Sequence, residues 1–210
     1  MMLLDPFFNR DAQVVAKNLL GKVLRVKHPG GWLSARIIET EAYYRREKAS
    51  HSSLGYTDKR KAMFMSAGTI YMYYCRGADT LNVSVRGEGN AVLIKSGIPF
   101  EDVQTAPDMI SIMQALNPRL NSLLPRELHR LCCGQTLLCK SLGLKVKDWD
   151  QKTFSLESFY IDDVGYQPHK IIKTPRLGIP IGRDEHLLYR FIDADEINFC
   201  TPSRLNKLAL

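Results

Sequence analysis

Residues 36–43 restrict the possible folds of this chain more than any other segment, because they alternate between polar and apolar side chains. Alternation with a period of two predicts a β-strand, in which side chains two positions apart share a face. Glu39, Glu41 and Tyr43 are therefore expected on the same face. Two carboxylates beside an aromatic ring suit an enzyme that activates water next to a flat, stacked substrate.

The segments around this strand predict a single α+β domain spanning residues 1–210, with a curled, mainly antiparallel sheet and packed helices. We expect strands at residues 23–27, 32–43, 69–74, 81–85, 91–95, 154–161 and 188–192. We expect helices at residues 10–20, near 109–116, from 125 toward 132 and at 135–142. Residues 44–62 are expected to form a polar loop, and residues 75–80 a turn.

Composition favours an intracellular protein of the globular class. The chain has 210 residues, of which 45% are hydrophobic, and no apolar run approaches the roughly 18 residues that cross a bilayer. The five cysteines are odd in number and show no regular disulfide spacing, which favours a reducing, cytoplasmic or nucleoid-associated location. His129, Cys132, Cys133 and Cys139 could be considered for zinc, but adjacent cysteines in a helical setting argue against it, so we expect no metal.

Positive charge is concentrated in one part of the chain. Of the net charge of +7, residues 44–62 contribute six cations against two anions. Such a segment is either a solvated loop or a surface that contacts phosphates, and charge alone does not separate the two.

Nearby, Tyr71 and Tyr73 are expected on one face of a strand. Together with Tyr43 they could form a slot for a planar ring, although tyrosines are also ordinary sheet residues.

Several blocks of sequence occur in an order that is similar to the alkyladenine (3-methyladenine) DNA glycosylase family. The blocks are Arg36-Ile37-Ile38-Glu39-Thr40-Glu41-Ala42-Tyr43, Ser50-His51-Ser52, Met63-Phe64-Met65, Gly68-Thr69-Ile70-Tyr71-Met72-Tyr73 and Leu81-Asn82-Val83-Ser84. Weaker similarity appears at Pro175-Arg176-Leu177-Gly178-Ile179 and Tyr189-Arg190-Phe191. The match is dense from about residue 12 to residue 100 and thinner afterwards.

The resemblance implies a monofunctional DNA glycosylase of base excision repair. Such an enzyme hydrolyses the N-glycosidic bond of N-alkylated purines flipped out of duplex DNA, acts as a monomer and needs no cofactor. By resemblance, Glu41 is the general base that activates water. Tyr43, His51 and Tyr73 enclose the flipped base, and Asn82 disfavours guanine. Glu39 is then expected to support the site.

Two positions depart from the family pattern. Lys95 stands where the family has an arginine that holds the attacking water, and Arg76 stands where it has an intercalating residue, commonly tyrosine, at the tip of a hairpin that enters the minor groove. Lys95 could instead form a Schiff base, but an amine beside Glu41 would tend to stay protonated. We expect DNA contacts from Arg76 and from the cations Arg45, Arg46, Lys59, Arg60 and Lys61.

Two other functions stay open from the sequence. One is a protein that binds DNA lesions and flips bases with weak or no excision. The other is a structural or interaction protein whose basic segment is only solvated.

Overall fold

The computed structural model describes residues 1–75 and 77–208. In this part of the chain, eight strands form one antiparallel sheet with the order β3-β4-β5-β2-β1-β6, and β8 joins β2 to β7. The strands are β1 Val23–His28, β2 Gly31–Tyr43, β3 Ile70–Cys75, β4 Ala78–Ser84, β5 Ala91–Pro99, β6 Phe159–Asp162, β7 Ile171–Thr174 and β8 Arg190–Asp193. The predicted α+β class with a mainly antiparallel sheet is confirmed.

The longest strand, β2, organises the sheet. Its first half pairs with β1, residues 39–41 pair with β8, and β5 lies along its other edge. The register against β5 shifts on either side of Glu39, which pairs with Ser96, while Thr40 pairs with Ile94. Lys95, between Ile94 and Ser96 on β5, therefore has no paired residue among those of β2 that the structure describes. A bulge of this kind bends and twists a sheet locally.

Helices pack against the sheet. The second helix, α2 (Ala12–Leu19), begins after Asp11, whose carboxylate accepts a hydrogen bond from the Gln13 N–H at 3.0 Å. Its buried stripe packs on the sheet, where the Thr40 hydroxyl donates to the Ala16 carbonyl at 2.8 Å. The helices are α1 Asp5–Phe8, α2 Ala12–Leu19, α3 Met109–Leu116, α4 Leu128–Leu131, α5 Gln135–Ser141, α6 Val146–Trp149 and α7 Arg204–Leu208. No helix in the described residues is both long and apolar enough to cross a membrane.

Several predicted boundaries are wrong. The predicted loop at residues 44–62 contains the 3₁₀ helices His51–Leu54 and Asp58–Phe64, which lack the longer apolar periodicity that reveals an α-helix. The predicted strand at 154–161 is shorter, because residues 156–158 form a turn. The Ser155 N–H donates across this turn to the Phe159 carbonyl at 2.8 Å. The strand β7 is four residues long and was not predicted.

The β3–β4 hairpin is tighter than the predicted turn at residues 75–80. Cys75 pairs with Ala78, so only two residues connect the strands. Gly77 has a φ of +77°, a conformation that two-residue hairpin turns require and glycine adopts without strain. Arg76, the proposed DNA-contacting residue at this tip, lies outside the described residues.

Candidate active site

Pairing across the sheet aligns five residues in one row. Tyr71 pairs with Asn82, Asn82 with Leu93, Leu93 with Glu41, and Glu41 with Arg190. Directly paired residues in an antiparallel sheet project their side chains to the same face. The row therefore carries aromatic, amide and carboxylate groups from four neighbouring strands to one side of the sheet, and Arg190 beside them.

A cavity of about 820 Å³ opens on this face, and we call it the central cavity. This volume lies within the usual range for sites that bind small organic groups. The helix start at Gly134 and Gln135 and the segments at residues 177–180 and 201–202 complete its walls. All six residues assigned to catalysis or base binding by resemblance line it: Glu41, Tyr43, His51, Tyr73, Asn82 and Lys95.

Glu41 is fully buried, and its carboxylate accepts hydrogen bonds from three protein groups. Its Oε1 lies 2.9 Å from Lys95 Nζ and accepts from the Leu177 N–H at 3.2 Å, while its Oε2 accepts from the Tyr43 hydroxyl at 2.7 Å. Burial raises the pKa of the Glu41 carboxyl, but the Lys95 charge and the hydrogen bonds from Lys95, Tyr43 and Leu177 outweigh burial, so the net shift of the pKa is downward. The carboxylate is thus held ionised inside the protein.

Lys95 reaches Glu41 from the irregular position on β5. Its side chain is almost completely buried, and Nζ also donates to Gln135 Oε1 at 3.4 Å. Lys95 therefore connects Glu41 on β2 to Gln135, the first residue of α5. A compact ammonium supplies the positive charge here, without the planar fork of an arginine.

Three rings form the aromatic wall of the central cavity. Tyr71 and Tyr73 are stacked with centroids 5.5 Å apart, and His51 meets Tyr73 edge-on at 4.4 Å. His51 Nδ1 lies 3.1 Å from the Tyr71 hydroxyl, which fixes the imidazole at the exposed end of the wall. Burial raises the pKa of Tyr73 to about 12, so its ring stays neutral. Desolvation, followed by the charges of Arg60 and Arg183, lowers the pKa of His51.

The ring of Tyr43 is supported by Arg176, which sequence reasoning did not select. The Arg176 guanidinium lies 4.5 Å from the Tyr43 ring centroid, is 3% exposed, and does not line the central cavity. It donates to the Ala42 carbonyl at 2.9 Å and forms an ion pair with the buried Glu47. The only signal for it was the weak similarity of residues 175–179. Leu177, whose N–H reaches Glu41, belongs to the same block.

Asn82 and Glu39 have fixed orientations beside these groups. Asn82 is buried and donates from Nδ2 to the Tyr71 carbonyl at 3.2 Å. Glu39, two residues before Glu41, faces a separate network in which Arg190 Nε donates to its Oε1 at 2.6 Å. The Glu39 Oε2 accepts from Ser96 and from the N–H and hydroxyl of Thr201. Thr201 itself lines the central cavity, so Glu39 holds part of the cavity wall in place.

The basic residues predicted to contact DNA occupy different surroundings. Lys59 and Arg60 line a second, smaller cavity of about 600 Å³, which also has the three rings of the aromatic wall in its lining. Arg60 donates to the Gly55 carbonyl at 3.0 Å. Lys61 and Arg46 are exposed. Arg45 is exposed and forms an ion pair with Glu88 at 2.9 Å. None of these five lines the central cavity.

Cysteine and histidine side chains are not grouped for metal binding in the described part of the chain. Across residues 1–75 and 77–208, no three side chains of His, Cys, Asp or Glu are placed together as metal ligands would be. Cys132 and Cys139 are buried, and burial raises the pKa of both thiols. His129 is half exposed and lies 3.2 Å from Glu127.

Comparisons with known proteins identify the family of this chain. Residues 6–197 match the model of the methylpurine-DNA glycosylase family. The chain is 57% identical over 205 residues to a protein of Pseudomonas syringae pv. tomato, covering 98% of this chain and 92% of the relative. It is 57% identical over 203 residues to one of Pseudomonas aeruginosa (97% and 84%), and 32% identical over 192 residues to one of Methanocella arvoryzae (89% and 90%). All three are provisionally named 3-methyladenine DNA glycosylase. The chain belongs to the methylpurine-DNA glycosylase family.

Proposed function

We propose that this DNA N-glycosylase of base excision repair removes N-alkylated purines of the 3-methyladenine type from duplex DNA by hydrolysis. A purine inside a duplex is inaccessible at its glycosidic bond, so the nucleotide is flipped into the central cavity before reaction. The observation that carries the proposal is the position of the buried Glu41 carboxylate at an aromatic-walled cavity, with Lys95 Nζ 2.9 Å away and the Tyr43 hydroxyl 2.7 Å away. The substrate implies work on chromosomal DNA in the cytoplasm, and we propose that the enzyme acts as a monomer.

Glu41 acts as the general base in this proposal. An ionised carboxylate has about four acceptor positions, and among the described residues Lys95 and the Leu177 N–H use Oε1 while the Tyr43 hydroxyl uses Oε2. One position on Oε2 remains to accept a proton from water. The water oxygen then bonds to the sugar C1′ as the bond from C1′ to the purine nitrogen breaks. The bonding electrons leave with the base and cancel its positive charge, and the proton stays on Glu41.

The aromatic wall favours alkylated bases because alkylation at a ring nitrogen makes a purine cationic. A cation stacked on a tyrosine ring gains roughly 0.5–2 kcal/mol relative to a neutral group, and Tyr43 and Tyr73 both line the cavity. The lowered pKa of His51 favours its neutral form, which does not repel such a base. Asn82, fixed by its bond to the Tyr71 carbonyl, is proposed to crowd the exocyclic amine of guanine.

Lys95 is proposed to orient and to neutralise charge, and not to attack the sugar. Attack on C1′ needs an amine aimed at the sugar, whereas Lys95 Nζ is engaged by the Glu41 carboxylate at 2.9 Å and by Gln135 Oε1 at 3.4 Å. The enzyme should then leave an intact abasic strand. Borohydride treatment during turnover should trap no covalent complex of protein and DNA.

Base release from a panel of damaged duplexes tests the proposed function. Duplexes carrying one 3-methyladenine, 7-methylguanine or hypoxanthine are incubated with the protein, and free base is measured by chromatography. Release of the cationic bases with an intact abasic strand is expected. The rival, a lesion-binding protein, predicts tight binding without release, and it is favoured if the parent protein and Glu41→Gln release equally little base.

A further inference from the structure

A leucine-rich segment outside the central cavity is exposed to water. Residues 118–125 connect α3 to α4, and we call them the leucine loop. Leu120, Leu123 and Leu124 have exposed fractions of 86%, 106% and 68%. Burying these three leucines would stabilise the protein, but their side chains are exposed to water instead. Clusters of exposed apolar side chains commonly mark interaction sites.

The leucine loop is closed at its base by specific hydrogen bonds. Arg126 donates from Nε to the Asn117 carbonyl at 3.0 Å and from Nη2 to the Pro118 carbonyl at 2.8 Å. Gln114 on α3 donates to the Arg126 carbonyl at 2.8 Å. The two ends of the loop are therefore held together, and the exposure of its leucines follows from a defined loop conformation.

The same base is fastened to the helix that forms one wall of the central cavity. Asn117 is buried, and its Nδ2 donates to the Leu131 carbonyl at 3.1 Å and to Ser141 Oγ at 3.0 Å. Ser141 ends α5, whose first residue, Gln135, lines the cavity and accepts a hydrogen bond from Lys95. The leucine loop and the cavity wall thus share one rigid support.

The charge near the leucine loop suits a polyanion. Residues 117–131 contain Arg119, Arg126 and Arg130 against a single carboxylate, Glu127. Burial, followed by the charges of Arg130 and Arg119, lowers the pKa of Arg126, as expected for three guanidinium groups near one another. Arg130 also lines the central cavity. Positive charge therefore continues from the cavity to the base of the loop.

We propose that the leucine loop is a second DNA-contacting element, which packs its leucines into the minor groove beside the flipped nucleotide while Arg119 and Arg130 contact phosphates. Apolar side chains inserted at base steps of the minor groove unstack and bend DNA, and neighbouring cations add salt-dependent attraction to the backbone. The proposal rests on duplex DNA as the substrate, as proposed above. It assigns to this loop a role separate from that of the β3–β4 hairpin.

A triple variant, Leu120→Ser/Leu123→Ser/Leu124→Ser, tests the proposal. Exposed positions tolerate serine, and thermal unfolding checks that the fold is kept. We expect the dissociation constant for a lesion-containing duplex to rise about tenfold, which corresponds to about 1.4 kcal/mol. The rate of base release in a single turnover at saturating enzyme, measured separately, distinguishes weaker binding from a slower reaction. Leu156→Ser, at a leucine that is 60% exposed and does not line the cavity, is the matched control and should bind like the parent.

A second variant reports on the proximity of DNA directly. Tryptophan fluorescence of Leu123→Trp should shift to the blue when duplex is added, as expected for an indole leaving water. A triple variant that binds duplex as tightly as the parent, with no fluorescence shift, would overturn the proposal. So would self-association of the parent that depends on these leucines while DNA affinity does not. If the parent itself fails to bind duplex, the proposed function fails together with this inference.

Discussion

At the scale of single residues, the ionisation state of Glu41 is set by its neighbours. Burial alone would raise the pKa of this carboxyl and favour its neutral form, which cannot act as a base. Lys95, Tyr43 and the Leu177 N–H reverse that effect, and the net direction of the pKa is downward. An enzyme arranged in this way stays active as the pH falls below neutrality, until the carboxyl is protonated.

Lys95→Met should change the pH dependence of base release. Without the ammonium, burial dominates and the pKa of Glu41 rises, so the acidic limb of the pH–rate profile moves to higher pH. The rate should fall roughly a hundredfold at mildly acidic pH, the scale of a lost general base, and less at alkaline pH. Single-turnover rates across pH measure this. Lys95→Arg keeps the positive charge and should keep the pH profile of the parent. Lys173→Met, at an exposed residue of β7, is the control and should also keep it. A rate of base release that falls equally at every pH in Lys95→Met would contradict the role given to Lys95.

Arg176 and Glu47 form a buried ion pair behind Tyr43, with exposed fractions of 3% and 4%. Removing one partner leaves an unpaired buried charge, so Arg176→Met should lower the free energy of unfolding by about 3–5 kcal/mol. Urea denaturation measures this. The double variant Glu47→Gln/Arg176→Met should lose less than the sum of the two single variants. Additive losses would show that the pair is not coupled.

Side-chain direction along β2 could be predicted from the sequence, but the partners of its side chains could not. The strand pleat sets a period of two, so Glu41 and Tyr43 were placed correctly on one face. Arg176 lies 129 residues from its partner Glu47, and such a long-range pair leaves no periodic signal. The register shift at Lys95 is likewise set by the packing of β2 against β5 and has no local sequence signature.

At the scale of elements, the β3–β4 hairpin and the 3₁₀ segment carry the residues proposed to contact DNA. The strands of the hairpin were predicted from their alternation, and the turn was predicted too long because Asp79 and Thr80 look like turn residues. Both are paired in β4 and buried. The 3₁₀ helix Asp58–Phe64 brings Lys59 and Arg60 next to the aromatic wall, an arrangement that charge counting alone could not show.

Arg76→Ala tests the proposed role of the hairpin tip. If Arg76 fills the gap left by the flipped base, its removal should raise the dissociation constant for a lesion duplex about tenfold, comparable to removing one side chain that stacks on a base. Arg76→Tyr should restore binding, because tyrosine can stack in the same position. Fluorescence anisotropy measures both variants. Equal binding by Arg76→Ala and by Arg86→Ala, an exposed control between β4 and β5, would argue against intercalation.

At the scale of the whole molecule, the net charge of +7 should make DNA binding depend on salt. The slope of log K against log salt is about −0.9 for each phosphate that the protein neutralises on duplex DNA. Lys59→Gln/Arg60→Gln/Lys61→Gln should make this slope shallower by about 0.9 for each phosphate that is no longer neutralised. Lys152→Gln, at an exposed lysine outside the basic segment, should leave the slope unchanged. A parent slope near zero would remove the electrostatic part of the account.

Base release by Glu41→Gln tests the central claim most directly. Glutamine keeps the size of the side chain and removes the proton acceptor, so the variant should bind a 3-methyladenine or 7-methylguanine duplex about as tightly as the parent. Its single-turnover rate of base release should be lower by roughly 10²-fold or more, the scale of a general base. Release by Glu41→Gln at the rate of the parent protein would contradict the assignment of Glu41 as the base that activates water.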